Sequence, residues 1–242
     1  MIKLQNVSVQ FQDQAILEQV SLSIEKSQKV AILGLSGSGK SVLLKTLAGL
    51  IVPNCGSLIL DNIDFHKAPP HTRNSLLRRM GMAFQKSALF DSITCGENVA
   101  MPLREWGGIS EAEIQNKVKE FLAAVEIPHA LNLFPDEISG GMQKRLAIAR
   151  ALALNPEFVL YDDPTAGLDP ITSRKIIELV LSHQRAKQST MVMVTNDIQR
   201  AFQADAHIYL LHQGSLISCG LKNETLHHPH PAVKAFIRGE VL

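Results

Sequence analysis

The sequence predicts an α/β fold whose parallel-sheet core is interrupted by a helical insertion. Three observations carry this. Short apolar runs at 29–33, 158–161 and 190–195 alternate with helical patterns, the rhythm of a largely parallel sheet. The first run leads into Gly34-Leu35-Ser36-Gly37-Ser38-Gly39-Lys40-Ser41, an uninterrupted G-x-x-x-x-G-K-[ST] loop. From about 87 to 155 the rhythm gives way to helical patterns alone. At 242 residues, 45% hydrophobic and 19% charged, the chain can bury a proper core. Its 24 basic and 23 acidic residues leave a formal charge of +1, so nothing calls for a nucleic-acid partner.

Residues 3–9 and 19–24 alternate with period two and predict paired strands; 29–33 is a short buried strand. A helix over 41–50 follows the glycine-rich loop, and Pro53-Asn54-Cys55-Gly56 turns the chain into a strand at 57–60. A helical piece near 73–79 precedes a strand at 81–84. Helices are expected over 99–104, 110–125 and 142–154, with Ser110 and Glu113 forming a capping box. The strand 158–161, a helix over 171–185, the strand 190–195 and strands near Ile208 and Leu216 complete the chain. Cys55, Cys95 and Cys219 are scattered, with no C-x-x-C pair, which reads as reduced packing residues. No signal-peptide core opens the chain, and no run approaches the ~18 apolar residues that span a bilayer, so work at a membrane would need other subunits.

The glycine-rich loop carries the first chemistry. Glycines let successive N–H groups face phosphate oxygens, and the helix that starts there adds a positive dipole end. Lys40 would bridge the β- and γ-phosphates and the Ser41 hydroxyl would ligate magnesium. Gly34, Leu35, Ser36, Gly37, Ser38, Gly39, Lys40, Ser41 and Val42 form this candidate set. The competing reading is a chance glycine-rich turn; a strand before it and a helix after it oppose that. A second anion site is expected at Ile138-Ser139-Gly140-Gly141-Met142, where a serine and two glycines open a helix.

With this second motif the chain resembles ATP-binding cassette (ABC) ATPases, whose signature is usually Leu-Ser-Gly-Gly-Gln; Ile138 and Met142 depart at its two ends. The resemblance implies a P-loop NTPase of the ABC type, with a mixed-sheet core, an N-terminal antiparallel β subdomain and a helical insertion subdomain. It would be one nucleotide-binding domain over 1–242, with a RecA-like core at 1–86 and 156–242 and a helical subdomain at about 87–155. It implies ATP and Mg2+ as cofactors and a homodimer in which Ser139, Gly140, Gly141 and Met142 meet the γ-phosphate held by the other subunit. Position by position, Asp162 is the magnesium-supporting carboxylate at the end of a buried strand. Gln85 is the glutamine whose amide oxygen reaches metal and water, Asp169 belongs to the loop that crosses the dimer interface, and Phe11 matches the aromatic that stacks on adenine. A core phenylalanine, an exposed loop glutamine and a plain helix cap are the bland readings of Phe11, Gln85 and Asp169.

Two positions depart from the family pattern where water is activated. Asp163 stands in place of the usual glutamate, and Asn196 in place of the histidine that contacts the γ-phosphate. The shorter side chain retracts its oxygens by roughly 1.5 Å, and misplacing a catalytic group by about 1 Å can cost on the order of 10²-fold. Asn196 can still donate an N–H, but it carries neither proton nor charge. The expectation is a slow ATPase.

The run Phe84-Gln85-Lys86-Ser87-Ala88-Leu89-Phe90-Asp91-Ser92-Ile93-Thr94, followed by Glu97-Asn98-Val99 and Pro102-Leu103, is similar to the ATPases of Mla-type (MCE-associated) phospholipid transport systems, as are Gly-Gly-Met in the signature and Leu168-Asp169-Pro170-Ile171. That resemblance implies docking beneath integral-membrane permease subunits at the cytoplasmic face of the inner membrane. An MCE-domain lipid-binding protein and a STAS-domain protein are the further partners it implies. Leu89, Phe90 and Ile93 could dock the permease or pack within a helical layer. Other ABC transport or cell-division ATPases, and a slowly hydrolysing nucleotide-gated module, are the alternatives. His227-His228-Pro229-His230 is interrupted by proline and lacks accompanying ligands, so it reads as a solvated linker rather than a metal site. Trp106 reads as a loop anchor.

Overall fold

The computed structural model describes residues 1–12, 14–106 and 108–240. In chain order the elements begin with β1 (Ile2–Phe11), β2 (Gln14–Ile24), β3 (Lys29–Leu33), α1 (Lys40–Leu47), β4 (Cys55–Leu60), β5 (Ile63–Asp64) and α2 (Pro70–Leu77). There follow β6 (Met80–Ala83), α3 (Cys95–Trp106), α4 (Glu111–Ala124), α5 (Gly140–Leu152), β7 (Phe158–Asp162) and α6 (Pro170–Lys187). The last are β8 (Thr190–Thr195), α7 (Ile198–Gln203), β9 (His207–His212), β10 (Ser215–Gly220), α8 (Lys222–Leu226) and α9 (Pro231–Arg238). Contacts group these into two compact units: Met1–Leu77 with Thr190–Leu242, and Arg78–Ser189.

In the first unit, β1 lies between antiparallel β2 and β4, with β5 outside β4. The period-two alternation of the first strand is broken rather than continuous. Ile2 and Leu4 point inward at even positions, Val7 and Val9 at odd ones. A register shift between Leu4 and Val7, with Asn6 at φ +47°, supplies the extra residue that flips the buried face. The Ser21 hydroxyl holds this bulge, accepting from the Asn6 amide at 3.0 Å and donating to Asn6 Oδ1 at 2.9 Å. Beside this sheet, β3 runs parallel to β8 on one side and β9 on the other, and β10 closes antiparallel on β9. Val30 to Leu33 and all of β8 are buried, the uninterrupted apolar pattern of strands covered on both faces.

In the second unit β6 and β7 pair in parallel, Met80 with Phe158 through Ala83 with Tyr161. Every residue of β7 is buried. Complete burial pushes the Tyr161 hydroxyl well above its ordinary pKa. Gly81 allows the helix behind β6 to come close: a Cβ there would stand 2.1 Å from the Ala151 carbonyl oxygen. Helices α3, α4 and α5 share a core built from Val99, Leu103, Ile114, Val118, Leu122, Leu146 and Ala149. The capping box opens α4 as the sequence predicts, with the Glu113 amide donating to Ser110 Oγ and the Ser110 amide to the Glu113 carboxylate. No helix among the described residues is long and apolar enough to cross a membrane.

Candidate functional site

The phosphate loop leaves β3 at Leu33 and enters α1 at Lys40. Gly37 and Gly39 take φ of +80° and +97°, and Gly39 is the N-cap of α1. A Cβ on Gly39 would lie 2.8 Å from Ile16 Cγ2, so both backbone conformation and space demand glycine there. No side-chain cap closes α1, so its positive end opens directly onto the loop. The Lys40 ammonium donates to the carbonyls of Gly34 at 2.9 Å and Leu35 at 2.8 Å, arching over the loop. Ser38 Oγ is buried without a hydrogen-bond partner, a polar atom set in the loop wall. A cavity of about 240 Å³ adjoins it, between residues 35–38 and Leu211, His212 and Gln213. Ser41 and Val42 follow in the first turn of α1, both half-buried.

Asn196 arrives at the same edge by strand pairing. Leu33 pairs with Thr195 in the parallel ladder, so Gly34 and Asn196 are the next residues beyond one rung. Thr195 is buried and its hydroxyl accepts from the Asp197 amide at 3.1 Å; Asp197 in turn caps α7 through Gln199 and Arg200. The exposed Asn196 is thus fixed between a buried strand end and a capped helix. Phe11 ends β1 with 48% of its surface exposed, which excludes the core-phenylalanine reading.

The second unit assembles the carboxylates and Gln85. Asp162 ends β7 and is only 5% exposed; Asp163 follows at φ +43° in the left-handed region, where its carbonyl accepts from the Ala166 amide at 3.1 Å. Since Ala83 pairs with Tyr161, Phe84 and Gln85 run beyond the ladder beside Asp162 and Asp163. The Gln85 carbonyl accepts from Lys144 Nζ at 2.9 Å. Burial pushes the Lys144 ammonium down from its usual pKa, while the charges of Asp163 and Asp162 oppose this. Arg150 donates to the Ser87 carbonyl at 3.0 Å and lies 5.7 Å over the Phe90 ring. Asn98, fully buried, accepts from the Phe90 amide and donates to the carbonyls of Phe90, Ile93 and Thr94.

Ser139 caps α5, its hydroxyl accepting from the Met142 amide at 3.3 Å, with Gly140 exposed beside it. Both departures from the signature pattern are taken up by packing: Ile138 is 7% exposed and Met142 packs against the helical core. Asp169 caps α6, accepting from the Ile171 and Thr172 amides at 3.0 Å; the Thr172 side chain first, and these amides with it, hold its carboxyl below the usual carboxylate range.

The segment after Gln85 divides: Leu89 packs against the helical core, whereas Phe90 is 46% exposed. Phe90, Met101, Phe84 and Ala88 line a cavity of about 330 Å³. Residues 227–230 form a largely exposed link between α8 and α9, held in place by hydrogen bonds. His227 Nδ1 contacts the Asn223 carbonyl, His228 Nε2 contacts the Ser218 carbonyl, and His230 caps α9. No His, Cys, Asp or Glu cluster among the described residues could hold a metal on its own. Trp106 ends α3 rather than a loop, with the Arg78 guanidinium 5.4 Å over its ring.

Read from the sequence, Lys144 and Arg150 have no assigned role, and Asn98 enters only within Glu97-Asn98-Val99. Their contacts reach across 59 residues for Lys144 and 63 for Arg150, and no local pattern marks them. Asn98 had a weak signal, a polar residue on the buried stripe of a helix.

A phosphate loop on a β3–α1 turn, a buried strand ending in paired carboxylates and a serine-glycine-glycine helix start define an ATP-hydrolysing cassette. Residues 17–166 match the ABC transporter family model, and the chain belongs to that family. It is 33% identical over 240 residues, 99% of this chain and 91% of the relative, to the intermembrane phospholipid transport system ATP-binding protein MlaF of Haemophilus influenzae. MlaF of Escherichia coli K12 is 31% identical over 99% of this chain and 89% of its own. A "Probable ribonucleotide transport ATP-binding protein" of Mycobacterium bovis is 35% identical over 98% of this chain and 66% of its own. Among solved structures, a dimeric ATP-binding cassette in a post-hydrolysis state bound to ADP and Pi superimposes with a TM-score of 0.83 at 35% identity, covering 89% of this chain and 96% of that one. The protein is an ABC-type ATPase that binds ATP.

Proposed function

We propose that this protein is the ATPase subunit of a phospholipid transport system and that it works as a homodimer beneath a membrane permease. The observation that carries the lipid reading is similarity to two MlaF proteins along nearly the whole length of both chains. The ribonucleotide-transport relative is matched over only 66% of its length, so it supports the cassette more than the cargo. An MCE-domain lipid carrier and a STAS-domain subunit are the further partners of this reading, and the cytoplasmic face of the inner membrane is its location. Exposed Phe90 and Met101 around the 330 Å³ cavity offer an apolar surface for the permease.

In this reading Lys40 and the amides of residues 34–42 hold the phosphates, and Phe11 stacks on the adenine. Ser139, Gly140, Gly141 and Met142 form the helix start presented to the other subunit's nucleotide, and Asp169 orders the loop between the chains. Ser41, Asp162 and Gln85 are hard oxygen donors, the set that suits Mg2+ held jointly by protein, phosphate and water. The nearly buried carboxylate of Asp162 at a strand end fits such an ion. Magnesium bound there would neutralise charge on the transferring phosphoryl group. Asp163 orients and accepts a proton from the attacking water, and Asn196 donates an amide N–H to a γ-phosphate oxygen.

The test is ATP-dependent phospholipid transfer between membranes by the protein purified with its permease, beside the Lys40→Ala variant. Transfer that is lost with Lys40→Ala supports the reading. Robust ATP hydrolysis without any lipid movement would point to another cargo.

A further inference from the structure

We infer that Lys144 is a positioning residue for hydrolysis: from the signature helix it grips the backbone of Gln85 and holds it beside Asp162 and Asp163. The inference rests on the hydrolytic reading of these residues.

Three observations converge on it. Lys144 lies in α5, the helix that Ser139 opens, and its Nζ donates to the Gln85 carbonyl at 2.9 Å. A charged donor makes this a strong hydrogen bond, on a Lys144 side chain that is itself half-buried. The gripped segment is also unusual in its backbone. Ser87 and Ala88 take φ of +58° and +49° in succession, and the Ala88 amide folds back on the Lys86 carbonyl at 2.6 Å. Non-glycine residues in that region persist only where their surroundings over-determine them. Here α5 supplies the surroundings twice, Lys144 on Gln85 and Arg150 on Ser87, at either end of a three-residue span. Finally, Ala83 pairs with Tyr161 on the last rung between β6 and β7, so the backbone that Lys144 grips leaves the sheet next to the strand that ends in Asp162.

Lys144 thus ties the signature helix directly to the Gln85 backbone. A displacement of α5 when Ser139 engages nucleotide would be passed to the Gln85 side chain without an intervening loop. It also suits a chain whose water-orienting carboxylate is one methylene short, because a shorter reach leaves less tolerance in where Gln85 sits.

The experiment compares Lys144→Met, which keeps the stem and removes the charge, with Lys144→Arg, in the protein purified with its permease. Lys144→Met should lower kcat about tenfold while KM for ATP stays within about twofold, and Lys144→Arg should recover kcat to within about threefold. Independently of turnover, amide hydrogen exchange at 85–90 should quicken at least fivefold in Lys144→Met and return toward wild type in Lys144→Arg. An unchanged kcat or unchanged exchange at 85–90 in Lys144→Met overturns the inference, and so does a parallel rise in KM. If Lys144→Met fails to assemble, Lys144→Gln serves in its place and the same outcomes decide. Wild-type hydrolysis in the same preparation tests the hydrolytic reading separately, so loss of one does not disguise loss of the other.

Discussion

Leu33 and Thr195 form the last rung of the parallel ladder between β3 and β8, so the phosphate loop and Asn196 leave the sheet side by side. Under the proposed function Asn196 therefore stands at the strand edge from which a γ-phosphate would be contacted, at the end of a fully buried strand. In that reading the departure lies in the chemistry of the side chain, not in its placement. The same holds for Asp163, fixed one residue beyond a fully buried β7.

Restoring the longer and the protonatable side chains should therefore speed the enzyme. Asp163→Glu extends the carboxylate by one methylene from an unchanged backbone, and Asn196→His restores a group able to carry a proton. Each is expected to raise steady-state phosphate release by the assembled complex roughly tenfold, given the cost of misplacing a catalytic group by about 1 Å. Turnover that stays level or falls in both variants would sink the account of a slow ATPase.

Gly39→Ala tests the loop itself. The new methyl would meet Ile16 Cγ2 at 2.8 Å from a backbone at φ +97°. A destabilisation of about 1–3 kcal/mol is expected from the backbone alone, together with a loss of ATP affinity. Denaturant unfolding and calorimetric titration with ATP check the two effects separately.

Much of this was legible in the chain, for physical reasons that differ by element. Strands β3 and β8 match the apolar runs residue for residue, because a strand covered on both faces must be apolar throughout. The first strand was misread as evenly alternating. Its bulge depends on Asn6 adopting φ +47° and on Ser21 across the sheet, and neither is a local pattern. Helices α7 and α8, of six and five residues, are too short to show a period. The phosphate loop, the signature and the strand-end carboxylates are contiguous motifs and could be read directly. The grip of Lys144 and Arg150 on residues 85–87 comes from tertiary packing between segments 59 to 63 residues apart, which leaves no local pattern in the chain.

Asn98 should prove critical for the segment that follows Gln85. Its side chain is fully buried and bonds the amide of Phe90 and the carbonyls of Phe90, Ile93 and Thr94. Asn98→Ala strands several backbone groups that solvent cannot readily reach. A loss of about 3 kcal/mol is expected, lowering the thermal midpoint by roughly 6–12 °C for a chain of this size. Asn98→Asp can still accept from the Phe90 amide but no longer donates to the three carbonyls, so it should rescue little. A midpoint within a degree or two of wild type for Asn98→Ala would contradict this assignment.

His183 gives the stability a pH dependence whose sign can be worked out. It projects from α6 with both ring nitrogens buried and without hydrogen-bond partners. Burial, with a smaller contribution from the nearby Lys187 charge, lowers its pKa from the usual 6.5. The unfolded chain therefore binds this proton at a higher pH than the folded one. The neutral ring's contribution is fully present above about pH 6.5 and is lost as pH falls through the lower folded value. His66 is shifted in the same direction, also chiefly by burial, and adds to the same slope. Replacing His183 by leucine removes two unpaired polar atoms, so stability at pH 7.5 should hold or rise by about 1 kcal/mol. It should also flatten, without abolishing, the decline between pH 7 and pH 5. Denaturant midpoints measured at half-unit intervals across that range, wild type against His183→Leu, provide the check. Parallel curves would show that the ring is accommodated in both charge states.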